Sequence, residues 1–234
     1  MPAASYEIRV CSSCGLRYPL VEGHSFGTRC PVCMGDTRVA LSRQLVAEPG
    51  PARPSALNTK GKGALSGLRG SESFAVLLDN VRSAWNVGSI LRSADGFGFI
   101  HAYLCGITPT ADNDAVTKTS LGAEDSVPWS YHKDAVKLVK GLRVEGWRVY
   151  ALEDDKRAVS LKSGGVPSRM QEQDLTLRIL IVGNEVTGVE PELLDLCDKI
   201  LYIPMRGEKR SFNVAIAFSI AAYALSESLS QIIE

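Results

Sequence analysis

This 234-residue chain lacks an excess of charge, a long apolar run and the common nucleotide fingerprints, and each absence excludes something. Lys plus Arg number 26 and Asp plus Glu 26, so no uniformly basic surface exists to attract nucleic acid or an anionic membrane. The longest apolar stretch, residues 212–225, is interrupted by Asn213 and Ser219 and falls short of the roughly 20 residues that span a bilayer. The first residues, Met-Pro-Ala-Ala-Ser-Tyr-Glu, have no basic start followed by an apolar segment. A cytoplasmic protein with no signal peptide and no membrane partner is therefore expected. No Gly-x-Gly-x-x-Gly follows a strand-like run, and no Gly-x4-Gly-Lys-Ser/Thr occurs. Rossmann dinucleotide binding and a P-loop are both disfavoured. What is present, 45% hydrophobic and 22% charged residues, suffices for a sizeable core in one large domain, or in an ordinary one with a small module.

The neutral total is a cancellation. Residues 1–70 carry nine basic side chains and four acidic ones, a net +5, which leaves −5 for the rest. That asymmetry suggests a basic arm on an ordinary cytosolic domain. Within the arm, residues 49–70 contain three prolines and five glycines but neither an aromatic nor an acid. Such a stretch cannot bury enough apolar surface to offset its ordering entropy, so residues 48–72 are expected to form a mobile basic linker. Its bland role is a solvated tether. The sharper one is a sequence-independent grip on a phosphate backbone.

Four cysteines punctuate the arm. Cys11-x2-Cys14, fifteen residues, then Cys30-x2-Cys33 is the spacing of a four-thiolate zinc site. Each Cys-x2-Cys turn aims two sulfurs at one point, and Gly15 and Gly35 follow the pairs where such turns want glycine. A disulfide framework would need an oxidising compartment, which nothing indicates. A redox dithiol would need only one pair. A structural Zn2+ in a zinc-ribbon-like module over residues 1–47 is the reading, with no open coordination position for chemistry. His24 is a substitute ligand by residue type, though a surface histidine is the simpler account. Cys105 and Cys197 sit in apolar surroundings and read as buried small hydrophobes.

From residue 73 to 234 strand-like and helix-like stretches alternate. Residues 74–79, 99–105, 147–152, 178–182 and 199–203 are short apolar runs typical of buried parallel strands. Residues 86–98 read as a helix ending at Gly98. Ala135, Leu138, Val139 and Leu142 mark an amphipathic helix. Pro191 suits the first position of a helix running to about Cys197, and Val214, Ala217, Phe218, Ala221 and Leu225 make one stripe of a long final helix. This alternation predicts an α/β domain with a mainly parallel sheet. Gly183-Asn184-Glu185 and Ile203-Pro204-Met205-Arg206-Gly207 follow two of the strands, and Ser211-Phe212-Asn213 opens the last helix. Loops at the carboxyl ends of parallel strands are where open α/β sheets bind ligands. Singly, Asn184, Ser211 and Asn213 are commoner as caps or turn residues, and only their concentration points to a site.

Those segments resemble a known family. Residues 86–98, Asn-Val-Gly-Ser-Ile-Leu-Arg-Ser-Ala-Asp-Gly-Phe-Gly, are similar to the first motif of the SpoU–TrmH family of RNA 2′-O-ribose methyltransferases. Ile181-Val-Gly183-Asn184-Glu185-x-x-Gly188 resembles its second motif, and Ile203-Pro204-Met205-x-Gly207-x3-Ser211-Phe212-Asn213-Val-Ala215 its third. The order is the family's, and the match spans essentially the whole main domain. The resemblance implies S-adenosylmethionine as methyl donor, a C-terminal trefoil knot of the SPOUT kind, and a homodimer with the site completed across its interface. It also implies that Gly183, Asn184, Glu185, Gly188, Ile203, Pro204, Met205, Ser211, Phe212 and Asn213 surround the cofactor, and that Arg92, Asn86, Glu185, Ser211 and Asn213 carry catalysis and substrate positioning. Val186, Phe212 and the pair Arg82-Ser83 depart from the family's usual residues without removing a polar motif position.

Methyl transfer to a ribose hydroxyl of tRNA or rRNA needs the hydroxyl proton removed or strongly polarised. Arg92 is the family's candidate; because arginine stays charged, it would lower the hydroxyl's pKa, directly or through a phosphate, or accept its proton only in an unusual setting. Asn86 and Asn213 would orient the ribose, and Glu185 and Ser211 would hold the loops. Arg206, Lys209 and Arg210 meet phosphates or form a solvated charge run. Two rival readings are a non-catalytic RNA-binding protein on a knotted scaffold and a tRNA base methyltransferase. Retention of Arg92, Glu185, Ser211 and Asn213 speaks against the first, and different motif residues in the base-modifying enzymes against the second.

Overall fold

A computed structural model describes residues 5–21, 27–44, 74–161 and 177–230. The expected linker and His24 lie outside the described residues. The main domain is a three-layer α/β/α sandwich. Its elements are β4 (Phe74–Asp79), α1 (Ala84–Gly96), β5 (His101–Cys105), α2 (Asp114–Ser120), α3 (Ala123–Ser126), β6 (Trp129–His132), α4 (Ala135–Val144), β7 (Arg148–Leu152), β8 (Val159–Ser160), β9 (Arg178–Val182), α5 (Pro191–Asp195), β10 (Lys199–Tyr202) and α6 (Val214–Ser230). Seven strands run parallel in the order β6-β5-β4-β9-β7-β10-β8.

Strict alternation inside each strand supplies both faces. Val76, Leu78, Leu104, Leu180 and Val182 pack against Val87, Ile90 and Leu91 of α1 and Phe218, Ala221 and Leu225 of α6. Their neighbours Ala75, Leu77, Val149, Ile179 and Ile181 face Val136, Val139 and Leu142 of α4 and Leu193 of α5. Continuous apolar strands buried on both sides are what a parallel sheet requires, because its crossover helices cover both faces. Among the described residues no helix is long and apolar enough to cross a membrane.

The expected elements are present with shifted ends. The first helix starts at Ala84, not Asn86, because Ser83 caps it by accepting the Asn86 amide at 3.4 Å. The helix after Pro191 stops at Asp195, short of Cys197. Gly88 of α1 has a packing role: a Cβ there would lie 1.9 Å from Thr119 Oγ1 and 2.4 Å from the Val116 carbonyl of α2. Four described elements of the main domain escape the sequence patterns: α2, α3, β6 and β8. The first two are shorter than the window over which helical periodicity shows, and β6 alternates half-buried aromatic and polar residues at the sheet edge.

The amino-terminal module is an antiparallel sheet of β1 (Ser5–Cys11), β2 (Arg17–Val21) and β3 (Thr37–Gln44) in the order β2-β1-β3. Leu16 and Tyr18 are buried with Cys11 and Cys30, and Leu20 and Ile107 pack against them. Ile107 comes from the main domain, and the Arg17 amide donates to the Lys133 carbonyl at 3.0 Å. The module is thus docked on the main domain. Three of its basic residues are engaged there or within it: Arg9 with Glu7, Arg17 with Glu190 and Glu192, and Arg29 with Asp36. Arg38 and Arg43 stay exposed along β3. Residues 1–47 carry five basic and three acidic side chains, a net +2, and of these cations Arg17 is spent on carboxylates of the main domain.

Candidate active site

The carboxyl ends of β4, β9 and β10 and the amino terminus of α1 carry all three motifs, and hydrogen bonds join them. The Glu185 carboxylate accepts the Arg82 amide at 2.9 Å and the Ser83 amide at 3.0 Å, where the amide groups that open α1 point. The same carboxylate accepts Asn86 Nδ2 at 2.8 Å. Because a carboxylate only accepts, this bond orients the Asn86 amide and turns its Oδ1 towards Asn213, whose Nδ2 donates to it at 3.0 Å. Asn213 Oδ1 in turn accepts the Ala215 amide at 2.9 Å and caps α6. One chain of polar contacts, Glu185–Asn86–Asn213, thus connects the second, first and third motifs.

The 183–188 loop closes on itself. The Asn184 amide donates to the Gly188 carbonyl at 3.1 Å and the Gly188 amide returns a bond at 2.9 Å. Inside the turn, Asn184 Oδ1 accepts the amides of Val186 at 2.9 Å and Thr187 at 3.1 Å, an Asx turn that explains why asparagine stands there. Asn184 Nδ2 ties the loop to the Asn80 carbonyl at 2.7 Å. A Cβ at Gly183 would lie 2.2 Å from the backbone of Gly188 and Val189, so this glycine serves the closure of its own loop. Asn184 is buried, whereas Glu185 and Val186 face solvent.

Ile203, Pro204 and Met205 are half-buried after β10, and Ser211, Phe212 and Asn213 are exposed before α6. Arg92 stands exposed on α1, and among the described residues no carboxylate pairs with it, Asp95 of its own helix included. Arg206, Lys209 and Arg210 are exposed on the loop leading to α6.

Sequence reasoning missed what lies beneath the loops. Asp79, fully buried at the end of β4, accepts the Glu190 amide at 3.0 Å and Asn80 Nδ2 at 2.8 Å. Burial first, and then the adjacent Glu190 carboxylate, push Asp79 up to about 7. Burial also raises Glu190, against the opposing pull of Arg17. Glu153 accepts the Val189 amide at 2.8 Å and is likewise raised, chiefly by burial. None of these carboxylates stands in a motif, so only their burial identifies them.

In the module, Sγ of Cys11, Cys14, Cys30 and Cys33 lie within 4.8 Å of one another. Cys11 and Cys33 sulfurs are 3.4 Å apart and those of Cys14 and Cys30 3.6 Å. A tetrahedral Zn2+ with bonds of about 2.3 Å places its sulfurs about 3.8 Å apart, so this donor set fits the ion. Amides of Cys14 and then Ser13, aimed at Cys11 Sγ, lower that thiol to about 6. All six cysteines of the chain are free thiols.

The model of the SpoU rRNA Methylase family matches residues 73–223, which hold all three linked motifs. The chain belongs to that family. Among curated relatives, the SpoU chain is 31% identical over 150 residues to the 23S rRNA (guanosine(2553)-2′-O)-methyltransferase of Bacillus subtilis, covering 64% of this chain and 56% of that one. It thus spans little more than half the length of that relative. Over 158 residues it is 30% identical to the tRNA (guanosine(18)-2′-O)-methyltransferase of Thermus thermophilus, covering 66% of this chain and 75% of the other. Among solved structures, an AdoMet-bound rRNA methyltransferase from Sinorhizobium meliloti superposes with a TM-score of 0.60 at 25% identity, over 67% of the SpoU chain and 57% of its own. The family match begins at residue 73 and leaves the cysteine module outside it.

Proposed function

We propose that this SpoU protein transfers a methyl group from S-adenosylmethionine to a ribose 2′-hydroxyl of tRNA or rRNA. The observation that carries the reading is the Glu185–Asn86–Asn213 chain, which brings the polar residues of all three motifs to one place. S-adenosylmethionine, once bound, supplies a sulfonium-activated methyl carbon. The apolar, half-buried Ile203, Pro204 and Met205, the exposed ring of Phe212 and the peptide groups of residues 183–188 suit a flat base and ribose. Glu185 and Asn184 hold the loop, and Ser211 stands at the approach to α6. Asn86 and Asn213 each use one amide hydrogen in the chain, which leaves a second to orient the substrate ribose. Arg92, exposed and without a carboxylate partner among the described residues, keeps its charge for the hydroxyl or its neighbouring phosphate. With the cofactor held there, Arg92 would lower the pKa of the ribose hydroxyl, directly or through the neighbouring phosphate, and the hydroxyl proton would pass to that phosphate or to water.

The cysteine set is assigned a structural Zn2+, and six cysteines outside any disulfide suit a reducing cytoplasm. A homodimer is supported by Trp85, Ile216 and Tyr223, large side chains more than half exposed on the adjoining helices α1 and α6. A C-terminal knot is supported by the insertion of β9 between β4 and β7 and the return of β10 on the far side of β7. Arg38 and Arg43 on β3 suit a contact to RNA phosphates.

Purified protein incubated with methyl-labelled S-adenosylmethionine and bulk RNA should yield 2′-O-methylated nucleosides. Label confined to bases, or no transfer, overturns the reading. Arg92→Ala should lower kcat by roughly a hundredfold or more while leaving S-adenosylmethionine affinity unchanged.

A further inference from the structure

The cysteine module reaches the methyl-donor loop. Arg17 Nε lies 2.9 Å from both carboxylate oxygens of Glu190, and its Nη2 contacts Glu190 and, at 2.9 Å, Glu192. The Glu190 side chain is 2% exposed and that of Arg17 11%. Among the described residues Arg17 is the one cation paired with Glu190, and it comes from outside the matched family region.

Glu190 is two residues past Gly188, so it forms the exit of the 183–188 loop. Its amide is held by Asp79 at 3.0 Å, and the preceding Val189 amide by Glu153 at 2.8 Å. Asp79 also holds Asn80 Nδ2 at 2.8 Å, and the Asn80 carbonyl accepts Asn184 Nδ2 at 2.7 Å. Asn80 Oδ1 accepts the Ile107 amide at 3.1 Å, beside the module's apolar contact. Both ends of the loop therefore rest on one buried cluster, in which Asp79 holds the Glu190 amide and the Glu190 carboxylate meets the Arg17 guanidinium. A buried carboxylate without its cation is strongly unfavourable, and the backbone around it has to move to let water reach it. The module is anchored by two independent contacts: Leu16, fully buried, packs in the cluster that Ile107 joins, and Lys133 Nζ donates to the Cys14 carbonyl at 3.0 Å.

We propose that the cysteine module braces the 183–188 loop and that Arg17 is a positioning residue, fixing the loop's exit through Glu190. The module supplies a charge that the methyltransferase domain needs and does not itself provide. The proposal rests on the methyltransferase reading only for its consequence, that cofactor affinity depends on Arg17. The loop's rigidity is a separate readout.

Arg17→Met, Glu190→Gln and the double variant of the full chain, with zinc content checked, would be compared by hydrogen exchange without ligand and by calorimetry with S-adenosylmethionine. Each single variant should speed exchange of the Val186, Thr187 and Gly188 amides about tenfold and weaken S-adenosylmethionine by a similar factor, with α4 unchanged. In turnover, KM for S-adenosylmethionine should rise while kcat changes little. The double variant should be no worse than Arg17→Met alone, because both act through one pair. Unchanged loop exchange in both single variants, or fully additive effects, overturns the brace. Should Arg17→Met unfold the module, seen as exchange across β1 to β3, Glu190→Gln leaves the cysteine turns intact and decides alone. A wild-type protein that binds no S-adenosylmethionine yet shows the exchange coupling overturns the enzyme reading and upholds the brace.

Discussion

The two parts of this chain are stabilised by different physics. The SpoU domain buries both faces of a parallel sheet under helices, with Leu77, Ile179 and Ile181 fully enclosed. The amino-terminal module buries only Tyr6, Ile8, Leu16, Tyr18 and two cysteines, little apolar surface for a domain of that size. Its order comes from four sulfurs converging on one point and from its seat on the larger domain. A region with a real core tolerates change at its surface, whereas one held at a few points fails when one of them goes.

Metal removal should break the comparison most widely. A chelator strong enough to strip zinc, or Cys30→Ser, should unfold β1 to β3, since metal binding of about 10 kcal/mol or more supplies the folding energy of small zinc modules. Hydrogen exchange would show whether β4 to α6 stay protected, as a domain with its own core requires. Leu77→Ala attacks the other side: a fully buried leucine between sheet and helices should cost about 3 kcal/mol in denaturant melts. Zinc content should remain unaltered in that variant.

At the seam the expected effects are smaller. Asp79 has a folded pKa of about 7 against 3.8 for the free side chain. The folded protein binds the extra proton across that window, so stability falls as pH rises from about 4 to about 7. Asp79→Asn should flatten this slope by about 1 kcal/mol or more, measured by thermal melts at several pH values. Least of all, Lys140→Ala removes an exposed ion pair to Glu192 and should cost under about 0.5 kcal/mol. A larger loss there would mean that rim charges, and not the buried Arg17–Glu190 pair, seat the module.

Much of the site was legible because its residues cluster at strand ends in the linear sequence. Gly183-Asn184-Glu185 and Ser211-Phe212-Asn213 are short contiguous signals, and the strand before the first is bounded as its apolar run suggests. What escaped was of two kinds. Short edge elements such as β6 leave no period to read. Long-range polar pairs such as Arg17 with Glu190, 173 positions apart, leave none either. The arm's charge count is incomplete for the same reason. Counting gives +5, but a count does not register that Arg17 is paired with the buried Glu190 and with Glu192, where it is lost to any RNA.

By itself the sequence determined the parallel α/β architecture, the four-sulfur cluster and the three motifs, because each rests on local spacing: apolar runs, Cys-x2-Cys turns, loops at strand ends. Only the tertiary structure decided that Glu185, Asn86 and Asn213 form one hydrogen-bonded chain, and that the module leans on the loop through Arg17. Those contacts depend on which strand ends lie side by side and which charges are shut away from water, and burial and neighbourhood exist only once the chain has folded.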